Sequence, residues 1–257
     1  MKVTILGSGT SGGVPRIGGP NGTGAWGACD PANPKNSRRR CSILVERHGK
    51  TLLVDTSPDL RWQLIDAGVS RLDAVLWTHD HADQCHGIDD VRALTLQHGA
   101  IDAWADRPTM ASLRGRFGYC FAQPDRSVYS TLYVPHVIGD KPFEAAGMTV
   151  VPFALDHGTT ISQGFRFGGI GYANDVVRME EAAFDALAGV EVLIVDAMRY
   201  RPHPTHAHLD LTLSWIERIR PRRAILTNLH VDMDYEELNR ATPDHVEPAY
   251  DGMVIET

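Results

Sequence analysis

Residues 78–87 read T-H-D-H-A-D-Q-C-H-G. Three side chains that commonly bind transition metals, His79, His81 and Asp83, fall within five positions, directly behind the apolar run A-V-L-W at 74–77. A strand is expected over 74–78, and alternate residues at a strand end share a face, so His79 and His81 can turn toward one ion. Imidazole nitrogen suits Zn²⁺, Mn²⁺ or Fe²⁺, and the Asp83 carboxylate adds a hard oxygen. A lone histidine is usually a solvated or satisfied residue. Three within eight positions, counting His86, point to a site.

The rest of the chain suits an enzyme built around that stretch. Its 257 residues suit one large α/β domain or two small ones. With 43% hydrophobic and 22% charged residues, the core needs no disulfide or metal to hold it. A net charge of −7, with no basic stripe interleaved with aromatics, weighs against a broad nucleic-acid surface. The one basic run, Arg38-Arg39-Arg40, reads as a solvated strand entry. No apolar run approaches the ~18 residues of a membrane span. M-K-V-T-I-L-G-S-G at the N-terminus reads as a strand entering glycines, not as an export signal. Cys29, Cys41, Cys85 and Cys120 form no C-x-x-C pair and read as free thiols, so a cytoplasmic location is expected.

Strands are expected over 3–6, 42–45, 52–55, 74–78, 148–154, 164–167, 170–173, 192–196 and 224–226. Helices are expected over 59–67, with Leu60, Leu64 and Ile65 on one face, and over 107–117, 180–187 and 209–219. Several strands end in polar residues: Asp55, His79, His157, Asp175, Asp196 and Asn228. Loops converging from one edge of an α/β scaffold would collect them in a pocket. Gly7-Ser8-Gly9-Thr10-Ser11-Gly12 satisfies G-x-G-x-x-G after a strand, but the following G-V-P-R-I-G-G-P cannot propagate the helix a dinucleotide site needs. The glycines instead allow a tight loop beside the metal residues, where Ser8, Thr10 or Ser11 can touch substrate.

T-H-D-H-A-D-Q resembles the H-x-H-x-D-H signature of the metallo-β-lactamase superfamily. G-S-G-T-S-G-G-V-P (7–15), N-P-K-N-S-R-R-R-C-S (33–42) and H-G-I-D-D-V-R (86–92) resemble its PhnP-like branch, phosphodiesterases that open cyclic phosphates on ribose. The resemblance implies a four-layer αββα sandwich of two similar halves, about 1–120 and 148–257, joined by an insertion over 121–147 that can act as a lid. It assigns His79, His81 and His157 to the first metal site, Asp175 to the carboxylate bridging two ions, and Asp83 to the second ion and to orienting the attacking water. The second ion's histidines would stand at Gln84 and Asn228. Both are amides here, weak neutral ligands at best, although His230 could substitute. One tight site for Zn or Mn and a second weak or altered one are therefore expected. His206, in R-P-H-P-T-H-A-H-L-D, matches the histidine that contacts the scissile phosphate and protonates the leaving oxygen. His208 is a further substrate contact, and His203 is the weaker candidate. The branch's structural zinc has only Cys29 left of its cysteine cluster and Val231 in place of its late histidine, so Cys29 reads as a small buried residue.

The expected function is metal-dependent hydrolysis of a small phosphate ester, cyclic or open, with Asp83 and His206 catalytic. The substrate would be small, no membrane would be involved, and a homodimer is possible. Hydrolysis of thioesters or lactones on the same scaffold is the first alternative. A non-catalytic metal or nucleotide sensor with a degraded second site is the second.

Overall fold

The structure, a computed structural model, describes residues 1–121 and 130–257. Its core follows from strands that are apolar on both faces, as expected of strands sandwiched between layers. In β1 (Lys2–Gly7), β2 (Ser42–Arg47) and β3 (Lys50–Val54), Val3, Ile5, Ile43, Val45, Leu52 and Val54 face a second sheet. Leu6, Leu44 and Leu53 point the other way, into a cluster with Leu60 and Leu64 of α1 (Leu60–Asp66). The second sheet mirrors this. Val192 and Ile194 of β11 (Val192–Asp196) join the inter-sheet core, whereas Leu193 and Val195 pack with Leu209, Trp215 and Ile216 of α6 (Leu209–Ile219). Period-2 alternation thus divides each strand between a sheet–sheet core and a helix–sheet core. The result is the αββα arrangement the resemblance implied.

The first seven-stranded sheet adds β4 (Ala74–Leu76), β5 (Ile101–Ala105), β6 (Tyr133–Val137) and β14 (Val254–Glu256), in the order β14-β1-β2-β3-β4-β5-β6. The second runs β13-β12-β11-β10-β9-β8-β7, built from β7 (Phe143–Ala145), β8 (Met148–Asp156), β9 (Ile161–Phe167), β10 (Ile170–Ala173), β11, β12 (Arg223–Thr227) and β13 (Val246–Pro248). β3 to β6 pair in parallel, as do β10 to β13. β8 reaches β10 through two antiparallel pairings, so it points the same way as β10. The strand ends that carry Asp55, His79, His157, Asp175, Asp196 and Asn228 therefore lie along common sheet edges.

Several expectations need revision. Within 121–147, Tyr133–Val137 and Phe143–Ala145 are the edge strands of the two sheets, and 122–129 lie outside the described residues. The 74–78 strand stops at Leu76, so His79 and His81 leave from a loop rather than from one strand face. Ile65 is 56% exposed, because a 3.6-residue turn puts Gln63, not Ile65, beside Leu60 and Leu64. Arg38 is not solvated but 2% exposed. It faces inward to donate to the Met233 carbonyl at 2.8 Å and to Asn36 Oδ1 at 3.1 Å. Arg39 and Arg40 pair with Asp66 and Asp59. The glycine-rich loop opens no helix. Gly7 is needed for close approach, since a Cβ there would lie 1.9 Å from the Arg40 carbonyl oxygen.

Candidate functional site

Asp55, Asp175 and Asn228 share an origin. Each lies one or two residues past a strand (β3, β10, β12), and each has left-handed backbone, φ 64°, 53° and 62°. Asp and Asn tolerate that conformation better than most residues, and such strain gathers at functional sites. The turn throws their side chains into the cleft between the sheets.

Three histidines meet there. The ring centroids of His79, His81 and His157 lie 4.5 to 5.1 Å apart. The outward nitrogens of His79 and His157 are already committed, which fixes which nitrogen faces inward. His79 Nδ1 is 3.0 Å from Thr78 Oγ1, whose hydroxyl in turn reaches Asp55 at 3.0 Å. The imidazole thus donates to the threonine and leaves Nε2 bare. That Nε2 is buried with no partner. His157 Nδ1 donates to the Thr205 carbonyl at 2.7 Å, so Nε2 presents its lone pair 3.3 Å from His81 Nδ1. Two imidazoles about 2.0–2.1 Å from one tetrahedral ion would place their nitrogens roughly 3.3–3.4 Å apart. Burial, reinforced by the neighbouring imidazoles, holds His79 well below its ordinary pKa, and burial with His206 brings His157 to about 4. Converging and partly orphaned nitrogens, with the His79 and His157 rings held neutral, suit a divalent cation.

Asp175 adds a carboxylate beside His157 and His206. Gln84 Nε2 and Asn174 Nδ2 donate to its Oδ2 at 2.9 and 2.8 Å, and Asn228 Nδ2 donates to Oδ1 at 3.1 Å. Gln84 and Asn228, expected as weak ligands, thus turn their nitrogens to Asp175. Gln84 Oε1 is left buried and unpaired. Burial raises the Asp175 carboxyl, with His206 opposing the rise. Asp83 sits half-buried at the edge, 3.3 Å from Gln84 Nε2.

His206 lies over this group, its ring 4.7 Å from that of His157. Its Nδ1 donates to Asp196 Oδ2 at 2.9 Å, an orienting carboxylate that the sequence placed among the polar strand ends of the pocket without a role. Burial opposes protonation of His206, but the Asp196 hydrogen bond and charge outweigh it and raise its pKa. Thr78 and Thr205 escaped notice, and the runs T-H and T-H-A are the only local hints, whereas Asp55 was expected at the pocket as a polar strand end without a role.

Other candidates sit elsewhere. Ser8 is fully buried and gives its backbone N–H and hydroxyl to Asp251 at 3.0 and 2.8 Å. Ser11 is exposed, while Thr10 is 3% exposed with Oγ1 unpartnered. His208 is the backbone N-cap of α6. His230 pairs with Asp232 and is absent from the converging nitrogens among the described residues. His86 stacks edgewise on Phe117, away from the cluster. Cys29 packs with Val14, Val231 and Trp26, with Arg38 Nη1 3.7 Å from its sulfur. All four cysteines are free and buried. Among the described residues, no helix is long and apolar enough to cross a membrane.

A family model described as a beta-lactamase superfamily domain matches residues 50–228. A solved structure of a diphosphatase from the PhnP family superposes with a TM-score of 0.90 at 33% identity, covering 99% of this chain and 96% of that one. An octanoyltransferase of Porphyromonas gingivalis is 32% identical over 98% of the chain and 51% of its own length. A ribonuclease Z of Salinibacter ruber is 27% identical over 52% of the chain and 44% of its own length. The chain thus spans about half the length of the curated relatives it matches.

Proposed function

Since the chain belongs to the β-lactamase superfamily and its PhnP-like branch and is a hydrolase, we propose that it cleaves a small phosphodiester with the help of a divalent cation. The observation that carries this reading is the convergence of three histidines on one point, with the Asp196–His206 pair beside them. Diphosphatase and ribonuclease Z relatives support phosphorus as the reacting atom.

His79, His81 and His157, with Asp175 alongside, would hold the cation, Zn²⁺ or Mn²⁺. When bound, it supplies Lewis-acid polarisation of the phosphoryl group and of water. Asp83 at the lip accepts a hydrogen bond from the attacking water. His206, kept protonated by Asp196, donates to the phosphoryl oxygens and then gives its Nε2 proton to the leaving oxygen. General-acid help of this kind is worth roughly 10²–10⁴-fold. Gln84 and Asn228 put amide N–H groups on Asp175, where two histidines would otherwise serve a second ion. One tight ion and a weak second one follow. The two-half organisation, about 1–120 and 148–257, and a cytoplasmic setting fit the same reading.

Metal content per chain, paired with hydrolysis of bis-p-nitrophenyl phosphate by His206→Ala, tests it. About one tight ion per chain and a loss of about 10²-fold or more are expected. Metal-loaded wild type with no turnover would sink the phosphodiesterase. The octanoyltransferase relative favours one other reading, thioester hydrolysis, and octanoyl-coenzyme A turnover by the same preparation would select it.

A further inference from the structure

The stretch H-G-I-D-D-V-R at 86–92 has no task in the chemistry above, and its first residue leads to one. Arg116 Nη2 lies 2.9 Å from His86 Nε2. A guanidinium has no acceptor, so Arg116 donates and His86 presents its Nε2 lone pair. Arg116 closes α4 (Arg107–Arg116), whose Met110 and Leu113 are buried in one apolar cluster with Cys85, Ile88 and Val91. Phe117 backs the contact, edgewise on the His86 ring at 5.7 Å. The other guanidinium nitrogen, Nη1, donates to the Asp80 carbonyl at 2.6 Å and reaches the Asp80 carboxylate at 3.3 Å. Ser112, one turn earlier on the same helix face, gives its hydroxyl to that carboxylate at 2.5 Å. The Cys85 thiol donates to the Asp80 carbonyl as well, at 3.4 Å. Asp80 is thus held by backbone and side chain at once.

Asp80 stands between His79 and His81, and those two are held in different ways. A metal-binding histidine is ordinarily oriented by a hydrogen bond on its far nitrogen. Thr78 supplies that bond to His79, and the Thr205 carbonyl supplies it to His157. His81 is exposed, and among the described residues its ring makes one hydrogen-bond contact, with His157 on the inward side. Strand β4 has ended at Leu76 and α2 (Ala82–Cys85) starts just after His81, so no strand ladder fixes its backbone. What holds His81 is the chain on either side of it. The Gln84 N–H meets its carbonyl at 3.1 Å, and α4 grips Asp80. Bonds from a guanidinium are roughly twice as strong as neutral ones, which suits Arg116 to the second of these tasks.

Resting on the reading of the three histidines as a cation site, we propose that Arg116, helped by Ser112 and anchored by His86, is the positioning residue for His81. Through Asp80 it sets the backbone from which that imidazole joins the other two. Two measurements test it. In the metal-free protein, hydrogen exchange reads the amides of Gln84 and His86, whose acceptors are the His81 and Ala82 carbonyls. Arg116→Met keeps the stem and removes the donors, and should cost these amides about 10-fold of their protection. Competition for Co²⁺ against a chelator then reads affinity. Arg116→Met should bind about 10- to 100-fold more weakly than wild type, with an altered visible spectrum of the bound Co²⁺. Arg116→Lys, which still carries a donor toward Asp80, should recover part of that loss. Wild-type affinity and spectrum in Arg116→Met overturn the proposal, as does loop exchange that the substitution leaves untouched. Wild type that takes up no Co²⁺ would remove the cation reading alone, and the grip on Asp80 is then decided by the exchange measurement. If Arg116→Met does not fold, Ser112→Ala decides by the same two readings, with a loss of about 3- to 10-fold in each supporting the proposal and wild-type values overturning it.

Discussion

His206 and Asp196 stand ten positions apart in sequence and 2.9 Å apart in space, and they divide one task. In the proposed reaction the imidazole carries the proton, and the carboxylate fixes which nitrogen carries it and how tightly. Asn at position 196 can still accept a hydrogen bond but brings no charge, so His206 should lose its proton at lower pH. Since the proposed reaction uses the acid form, the alkaline limb of the pH–rate profile should move toward lower pH in Asp196→Asn. The rate constant kcat should fall about 10- to 100-fold, as is typical when a partner that orients a reacting group is lost. Metal content should stay at the wild-type value, which separates loss of the proton donor from loss of the ion. An unmoved limb and an unmoved kcat would show that His206 does not act through Asp196.

At the scale of elements, strand ends place the site and short turns lock it. The turn between β13 and β14 carries Asp251, which is half-buried and receives the N–H of Ser8, the hydroxyl of Ser8 and the N–H of Arg39. It thereby pins the glycine-rich loop after β1. Burial outweighs those bonds and raises the carboxyl to about 7. The sign follows directly. Between about pH 4 and pH 7 the unfolded chain is already ionised while the folded chain still holds the proton, so stability falls as pH rises through this window. The loss is up to about 4 kcal/mol at ~1.4 kcal/mol per unit. Asp251→Asn removes this term. Urea unfolding of the metal-loaded proteins at pH 5 and pH 7.5 should show a smaller drop for the variant, whereas parallel drops would mean that Asp251 is already ionised in the fold. The sequence made much of this level readable, because Asp55, Asp175 and Asn228 follow apolar strands and His79 and His81 sit two apart. It hid what depends on distant pairing. β5, β6, β7, β13 and β14 are three to five residues long, too short for a periodic signal. Thr205 holds His157 across 48 positions, and Asp251 holds Ser8 across 243.

The whole molecule depends on how two sheets, each with its own helical layer, are clamped at the edge where the site lies. The hydrophobic core between them is non-directional, so polar contacts must fix the loops that cross it. Arg38 is the largest of these. Its guanidinium, on the segment leading into β2 of the first sheet, donates to the carbonyls of Met233 at 2.8 Å and His230 at 3.4 Å, in the loop after β12 of the second. Arg38 also pairs its backbone with Val14, so the glycine-rich loop is tied into the same joint. Replacement by Met keeps length and apolar volume but leaves the Met233 carbonyl without its donor, whereas the His230 carbonyl keeps the Met233 N–H at 3.0 Å. Unpaired buried acceptors of this kind cost about 1–3 kcal/mol each. For a chain of this size each kcal/mol lowers Tm by about 2–4 °C. Arg38→Met should therefore melt about 3–12 °C below wild type in calorimetry. The number of ions held per chain should be unchanged, because no cation ligand touches Arg38. A Tm within about 2 °C of wild type would mean that the two sheets hold their edge without this joint. The inter-sheet core of Val3, Ile5, Phe165, Phe167 and Ile194 would then be sufficient to set the geometry of the site.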